Sequence, residues 1–216
     1  MSARRKIGIL RFPGTNCDRD IWDAVECVGD TAQWLWYQDQ FDVKEFESFI
    51  LPGGFSYGDY LRSGALAAHA PVMISLREAA IKGYPILGVC NGFQILCEAQ
   101  LLPGVLMRND HLKFLDTIVD LEVIQPHSRF GSQLDKGQTV TMPIAHADGR
   151  YYAADDELQK IKDNNQIFCV YKQNPNGSAM NIAGVMNKNK NIVGMMPHPE
   201  RAMHSWMGSS DGSLFF

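Results

Sequence analysis

The sequence predicts an α/β domain, a central and mostly parallel sheet with helices on both faces. Three observations predict it. Short apolar runs alternate with longer amphipathic runs through the N-terminal half, the pattern of strands buried between helices. These runs stop at turns rich in glycine and proline. The C-terminal half instead carries segments of period two, which read as antiparallel strands added to the same domain.

Taken in order, Lys6 to Phe12 reads as a first buried strand and Pro13-Gly14-Thr15-Asn16 as the loop after it. Asp18 to Val28 fits a helix, with Asp18 as its cap and Gly29 as its stop. Thr31 to Trp36 is strand-like, and Phe46 to Leu51 is a third strand ended by Pro52-Gly53-Gly54. A loop from Phe55 to Gly64 leads to a helix within Ala65 to Lys82, stopped by Gly83. Tyr84 to Val89 is the next strand, followed by a sharp turn and the amphipathic run Phe93 to Ala99. Phe114 to Ile124 and Gln138 to Ile144 alternate as antiparallel strands do. Asn174-Pro175-Asn176-Gly177 is a turn between two further strands, and Ile192 to Met196 returns as a buried strand. Without an internal repeat, low-complexity segment or linker, residues 1–216 read as one domain.

Composition removes several classes of function. A net charge of −4 argues against nucleic acid or an anionic membrane as the main partner. No apolar run approaches the roughly 20 residues that span a bilayer. The five cysteines are odd in number, irregularly spaced and free of CxxC, so neither a disulfide framework nor a zinc motif is expected. A reducing, cytoplasmic setting follows as an expectation. Neither GxxxxGK[ST] nor a GxGxxG after a strand occurs, and there is no HExxH, so no nucleotide or metal signature is found.

The chemistry concentrates at Gly88-Val89-Cys90-Asn91-Gly92, a strand, a tight turn and a helix start. Gly-x-Cys-x-Gly parallels the Gly-x-Ser-x-Gly elbow, where small flanking residues let a strained turn pack closely. A thiol at a helix N-terminus sits where the helix field favours the thiolate. The Asn91 N–H is placed to receive an oxyanion, and Gly53 and Gly54, at the end of the third strand, are a second source of such donors. A structural cysteine would satisfy the pentapeptide equally well. Cys97, between Ile95, Leu96 and the helix end, reads as core.

A nucleophile needs a base. Of six histidines, His198 stands in Met196-Pro197-His198-Pro199-Glu200, directly after a buried strand. Its own proline follows it, which biases it to extended backbone, where residues two apart project to the same side. Glu200 would then hold the imidazole as the acid of a hydrolase triad does. His146, with Asp148 two residues on, is the runner-up.

Pro-Gly-Gly, Gly-x-Cys-x-Gly-x-Gln and Pro-His-Pro-Glu occur here in one order. That combination resembles the class I (triad) glutamine amidotransferases. Within them, Phe12 to Asp18, Leu51 to Arg62, Gly88 to Leu96 and Gly194 to Arg201 are similar to the glutaminase subunits of phosphoribosylformylglycinamidine (FGAM) synthase, as are Pro143 to His146 and Asn174 to Ser178. The resemblance implies a flavodoxin-like three-layer fold, a triad of Cys90, His198 and Glu200, and Gln94 among the substrate-binding residues. It gives His146 no triad role, and it carries nothing to residues 125–137. It implies L-glutamine as substrate, a large synthetase subunit that binds ATP and Mg²⁺ and consumes the ammonia, and a small bridging subunit. No cofactor is implied on this chain. A DJ-1/PfpI-like cysteine hydrolase is a weaker alternative, because a histidine commonly follows that family's cysteine and here Asn91 does. A catalytically inactive regulatory subunit is the other alternative, against which the intact Cys90, His198 and Glu200 count.

Overall fold

Four parallel pairings and four antiparallel ones run through a single nine-stranded sheet. The computed structural model describes residues 4–127 and 129–216. Met1 to Ala3 and Ser128, which the sequence assigns to the same domain, lie outside the described residues. The chain opens with β1 (Lys6–Arg11), α1 (Asp18–Cys27), β2 (Thr31–Trp36) and β3 (Ser48–Leu51). It continues through α2 (Val72–Ile81), β4 (Ile86–Val89) and α3 (Asn91–Glu98). The second half adds β5 (Val105–Met107), β6 (Leu115–Val123), β7 (Thr139–His146) and β8 (Arg150–Tyr152). Then come α4 (Asp155–Asp163), β9 (Ile167–Tyr171), β10 (Ile182–Met186) and β11 (Ile192–Met195).

The strand order is β2-β1-β3-β4-β11-β10-β9-β6-β7, and β5 and β8 form a separate antiparallel pair. The first five strands are mutually parallel, and from β11 onward each neighbour is antiparallel. Every residue of β3, β4, β10 and β11 is buried. Strands covered on both faces read as continuous apolar runs, which is why the sequence showed them plainly. In β7 buried residues alternate with half-buried ones, as one-sided strands do.

Two local expectations are corrected, at the third strand and the first helix cap, and one, the second helix, is narrowed. The third strand begins at Ser48, because Phe46 closes a short 3₁₀ turn, Val43–Glu45, capped by Asp42. The second helix is confined to Val72–Ile81, since a 3₁₀ turn at Ala67–His69 and Pro71 precede it. The N-cap of α1 is Cys17. Asp18 instead pairs with Arg11 at 2.5 Å, across the turn from β1 to α1. The sequence pattern does not disclose α4: Ile161 is its one buried residue, so its apolar period is too thin to read.

The elbow depends on two close approaches. A Cβ on Gly92 would lie 2.0 Å from the Leu51 carbonyl oxygen, and one on Gly88 would lie 2.5 Å from Leu96 Cδ1. These glycines let α3 sit directly against β3 and β4. Gly92→Ala is therefore expected to cost about 1–3 kcal/mol of stability, the range for overpacking a core, measured as a lowered midpoint in urea unfolding.

Candidate active site

The C-terminal ends of four parallel strands converge on one crevice, the place where open α/β sheets bind ligands. β1 leads to Asn16 and Cys17, β3 to Gly53 and Gly54, β4 to Cys90, and β11 to His198. Cys90 holds φ 50° and ψ −105°, outside the regions that ordinary residues occupy. Its N–H donates to the Met195 carbonyl at 2.7 Å, and its own carbonyl receives the Gln94 N–H at 3.1 Å. The first N–H groups of α3, beginning with Asn91, have no intrahelical acceptor and open toward the turn. Gly53 and Gly54 are paired to the loop after β1 through Cys17 N–H to Gly53 O and Phe55 N–H to Gly14 O. That pairing leaves the Gly54 N–H outside it.

His198 and Glu200 are 1% and 2% exposed, and Nδ1 of His198 lies 2.6 Å from Oε1 of Glu200. Because a carboxylate can only accept, Nδ1 carries the hydrogen and Nε2 is the free face of the ring. Burial opposes a charge on this imidazole. Glu200, then Cys90 and Cys17, outweigh it, and the pKa is raised well above 6.5. The sequence had the two side chains meet along extended backbone. They meet instead across a 3₁₀ turn, Pro199–Arg201, in which Arg201 N–H returns to the His198 carbonyl at 3.2 Å.

A cavity of about 230 Å³ opens over these groups, walled by Asn16, Cys17, Phe55, Phe114, Asp116 and Arg201 around Cys90 and His198. The edge strand β7 reaches it from the far side of the sheet. Pro143 O accepts the His198 N–H at 2.9 Å, and Ala145 O lies 3.6 Å from Cys90 Sγ. The opening turn of β6 supplies Phe114 and Asp116, because Asp116 pairs with Ala145 in register.

Two residues take other places than a direct role in the cavity. Gln94 Oε1 accepts from Asn91 Nδ2 at 2.9 Å and its Nε2 donates to the Asp148 carbonyl at 2.7 Å, while Asn91 Oδ1 receives the Ser56 N–H. This chain of bonds ties α3 to both neighbouring loops beneath the pocket. His146 is buried with Nδ1 3.2 Å from Asn109 Oδ1, and burial first, then His198, lowers its pKa to about 4. It is neutral at pH 7 and braces the loop at Gly149. Asp148, its sequence neighbour, bonds Ser63 and faces Arg108 instead.

Sequence reasoning missed Cys17 and Arg201 as part of the site. Arg201 Nη2 lies 3.1 Å from Cys17 Sγ, and a Cβ on Gly53 would stand 2.7 Å from His198 Cε1, 3.2 Å from Cys17 Sγ and 3.4 Å from Cys90 Cβ. Cys17 follows the loop after β1, and the general rule for strand ends in parallel sheets was the signal that could have found it.

A buried cysteine elbow beside a carboxylate-held histidine, at the strand ends of such a sheet, is an arrangement suited to acyl transfer to sulfur. Residues 4–212 match the CobB/CobQ-like glutamine amidotransferase domain, and the chain belongs to that family. It is a glutamine amidotransferase. It is 41% identical to a chain in the structure of PurLQS from Thermotoga maritima, with a TM-score of 0.91 over 99% of this chain and 96% of that one. A candidate GMP synthase subunit from Thermoplasma acidophilum superposes with a TM-score of 0.62 at 17% identity, over 100% of this chain and 92% of that one. A glutamine amidotransferase from Thermotoga maritima gives 0.55 at 15% over 95% of this chain and 81% of that one. These last two share the fold.

Removing the carboxylate should expose what holds the His198 charge. A raised folded-state pKa contributes stability that is fully present below the unfolded value near 6.5 and is lost as pH rises through the folded value. The melting-temperature gap between wild type and Glu200→Gln is therefore expected to be widest below pH 6.5 and to narrow on the alkaline side.

Proposed function

We propose that this chain is the glutaminase subunit of FGAM synthase. It hydrolyses L-glutamine and delivers ammonia to a synthetase subunit in de novo purine synthesis. The observation that carries the chemistry is the Cys90 elbow facing the His198–Glu200 pair. The 41% identity over nearly the whole chain to a PurLQS structure supports the pathway.

In this reading the Cys90 thiolate attacks the side-chain amide carbon of glutamine. The Asn91 and Gly54 N–H groups hold the oxyanion. His198, charged and held by Glu200, gives its proton to the departing ammonia, leaving a thioester on Cys90. The neutral imidazole then takes a proton from water, which attacks the thioester carbonyl and frees glutamate and the thiol. His198 needs its high proton affinity for the first half and its fixed tautomer for the second. Gln94 acts by holding α3 in place. The charges of Asp116 and Arg201 at the cavity wall complement the ammonium and carboxylate of the amino acid.

The ATP step belongs to the partner, with ATP and Mg²⁺ bound there, and a small bridging subunit joins the two. Phe55 and Phe114 line the cavity yet are 45% and 49% exposed, with Tyr60, Leu61 and Leu112 also bare nearby in sequence. An apolar rim around a polar mouth is the kind of surface a partner covers. Among the described residues no helix is long and apolar enough to cross a membrane, which accords with a cytoplasmic complex.

Cys90→Ala is expected to lower glutamine-dependent FGAM formation by the complex on the order of 10⁴-fold or more, while synthesis from added ammonia persists. An equal loss of both would remove the nucleophile from the mechanism. A glutamine-directed electrophile should label Cys90 in the wild type, with no labelling even beside the synthetase as the adverse result. Asp116→Asn should raise KM for glutamine about 10- to 100-fold with a smaller change in kcat, as loss of one charge-assisted bond to substrate predicts; steady-state kinetics with glutamine decides it.

A further inference from the structure

Cys17 has no part in the hydrolysis just described, yet backbone and side chain alike fix its place in the pocket. It is 3% exposed at the N-cap of α1, where its N–H donates to the Gly53 carbonyl at 3.2 Å and its carbonyl receives the Ile21 N–H at 3.1 Å. Its thiol donates to Asn16 Oδ1 at 3.5 Å, which leaves the sulfur lone pairs free to accept. They accept from Nη2 of Arg201 at 3.1 Å, and Nε of the same guanidinium donates to Asp20 Oδ2 at 3.2 Å. Nη1 has no acceptor among the described residues, and Arg201 lines the cavity over Cys90 and His198.

We propose that Cys17 is a positioning residue for substrate selection: it holds Arg201 so that the free edge of the guanidinium receives the α-carboxylate of glutamine. The proposal rests on the glutaminase reading. A guanidinium is planar, so bonds at Nε and Nη2 also fix the direction of Nη1, and its fork matches a carboxylate. Asp20 alone does not supply that hold. The Asp20 and Arg201 side chains are 44% and 38% exposed, and an ion pair so open to water is too weak to fix a long flexible side chain. Glu200, the residue before Arg201, also draws the guanidinium by its charge, yet its Oε1 is committed to His198. Released from Cys17, the guanidinium would turn toward these carboxylates instead of the substrate's. Sulfur is a weak acceptor, so it orients the fork without neutralising it. The same Sγ lies within 4.8 Å of a His198 ring nitrogen, so a role through the histidine is the competing account. The two accounts differ in outcome. An effect through Arg201 falls on glutamine binding and vanishes for an amide without the α-carboxylate. An effect through His198 falls on turnover of both.

The test is steady-state kinetics of the complex on L-glutamine and on 4-aminobutyramide, which is glutamine without its α-carboxylate. Cys17→Ala should raise KM for glutamine about 10-fold with a smaller change in kcat, and should move kcat/KM for 4-aminobutyramide by less than about twofold. Cys17→Ser keeps an acceptor at that position and should bring KM back to within about threefold of the wild type. Arg201→Gln should raise KM for glutamine about 10- to 100-fold, and Cys17→Ala added to it should cause no further rise, because both act through one bond. Arg201→Gln also guards against a Cys17 variant that does not fold: the preference for glutamine over 4-aminobutyramide should shrink in it by the same factor. An unmoved glutamine KM in Cys17→Ala, an equal loss on both substrates, a further rise in the double variant, or an unchanged preference in Arg201→Gln would overturn the proposal and leave the glutaminase standing. A wild-type complex that hydrolyses no glutamine would overturn the glutaminase reading and this proposal with it.

Discussion

A non-glycine residue at φ 50° and ψ −105° costs on the order of 1–3 kcal/mol, and Cys90 sits there permanently. The strain is sustained because the surroundings leave the turn no alternative. β4 is locked between β3 and β11, the Cys90 N–H is fixed on Met195, and α3 lies so close to β3 that only glycine fits at position 92. Relaxing Cys90 would mean shifting the start of α3 and, with it, the Asn91 and Gln94 side chains that bind the loops at Ser56 and Asp148. The whole floor of the pocket thus hangs on one backbone torsion. The thiol reaches the crevice because the chain reverses there.

The second demand on the fold is electrostatic. Burying His198 and Glu200 would be costly for either alone, since an ion removed from water must find its partner in the protein. The 2.6 Å contact supplies that partner on one face of each group, while Nε2 and Oε2 remain without one. A site with spare buried bonding capacity is ready for something to enter it. In the proposed reaction the departing ammonia is the group that meets Nε2.

What the sequence disclosed and what it hid divide along physical lines. Buried parallel strands were legible because both faces are apolar, and the elbow was legible because Gly88 and Gly92 are adjacent in sequence to the residue they serve. His198 and Glu200 were paired correctly, yet by a 3₁₀ turn rather than by extended backbone, because Pro199 starts a turn as readily as it extends a strand. Cys17, Asp116 and Arg201 escaped notice as pocket residues. Each belongs to the site through tertiary approach alone, and a thiol, a carboxylate and a guanidinium on three separate elements leave no local spacing to detect. His146 misled in the opposite sense: a histidine with an acid two residues on looks like half a triad, but Asn109 claims its ring nitrogen and Asp148 turns to Ser63.

The two halves of the sheet divide the labour. Parallel strands deliver reactive groups, because all their C-terminal ends face one way and their loops meet there. Antiparallel strands cannot do that, but they can bring a strand back across the opening. β7 stands four strands from β11 in the order of the sheet, yet its Pro143 carbonyl holds the His198 backbone and its Ala145 carbonyl faces the thiol. For that to happen the sheet must coil until its far edge closes over the crevice, carrying Asp116 and Phe114 with it through the β6–β7 register. The antiparallel extension is therefore the wall of the pocket. Phe114 and Phe55 remain half bare at its rim, so β7 closes one side of the cavity and leaves the other open. In the proposed glutaminase, ammonia formed at Cys90 therefore has its open side where those two rings stand bare.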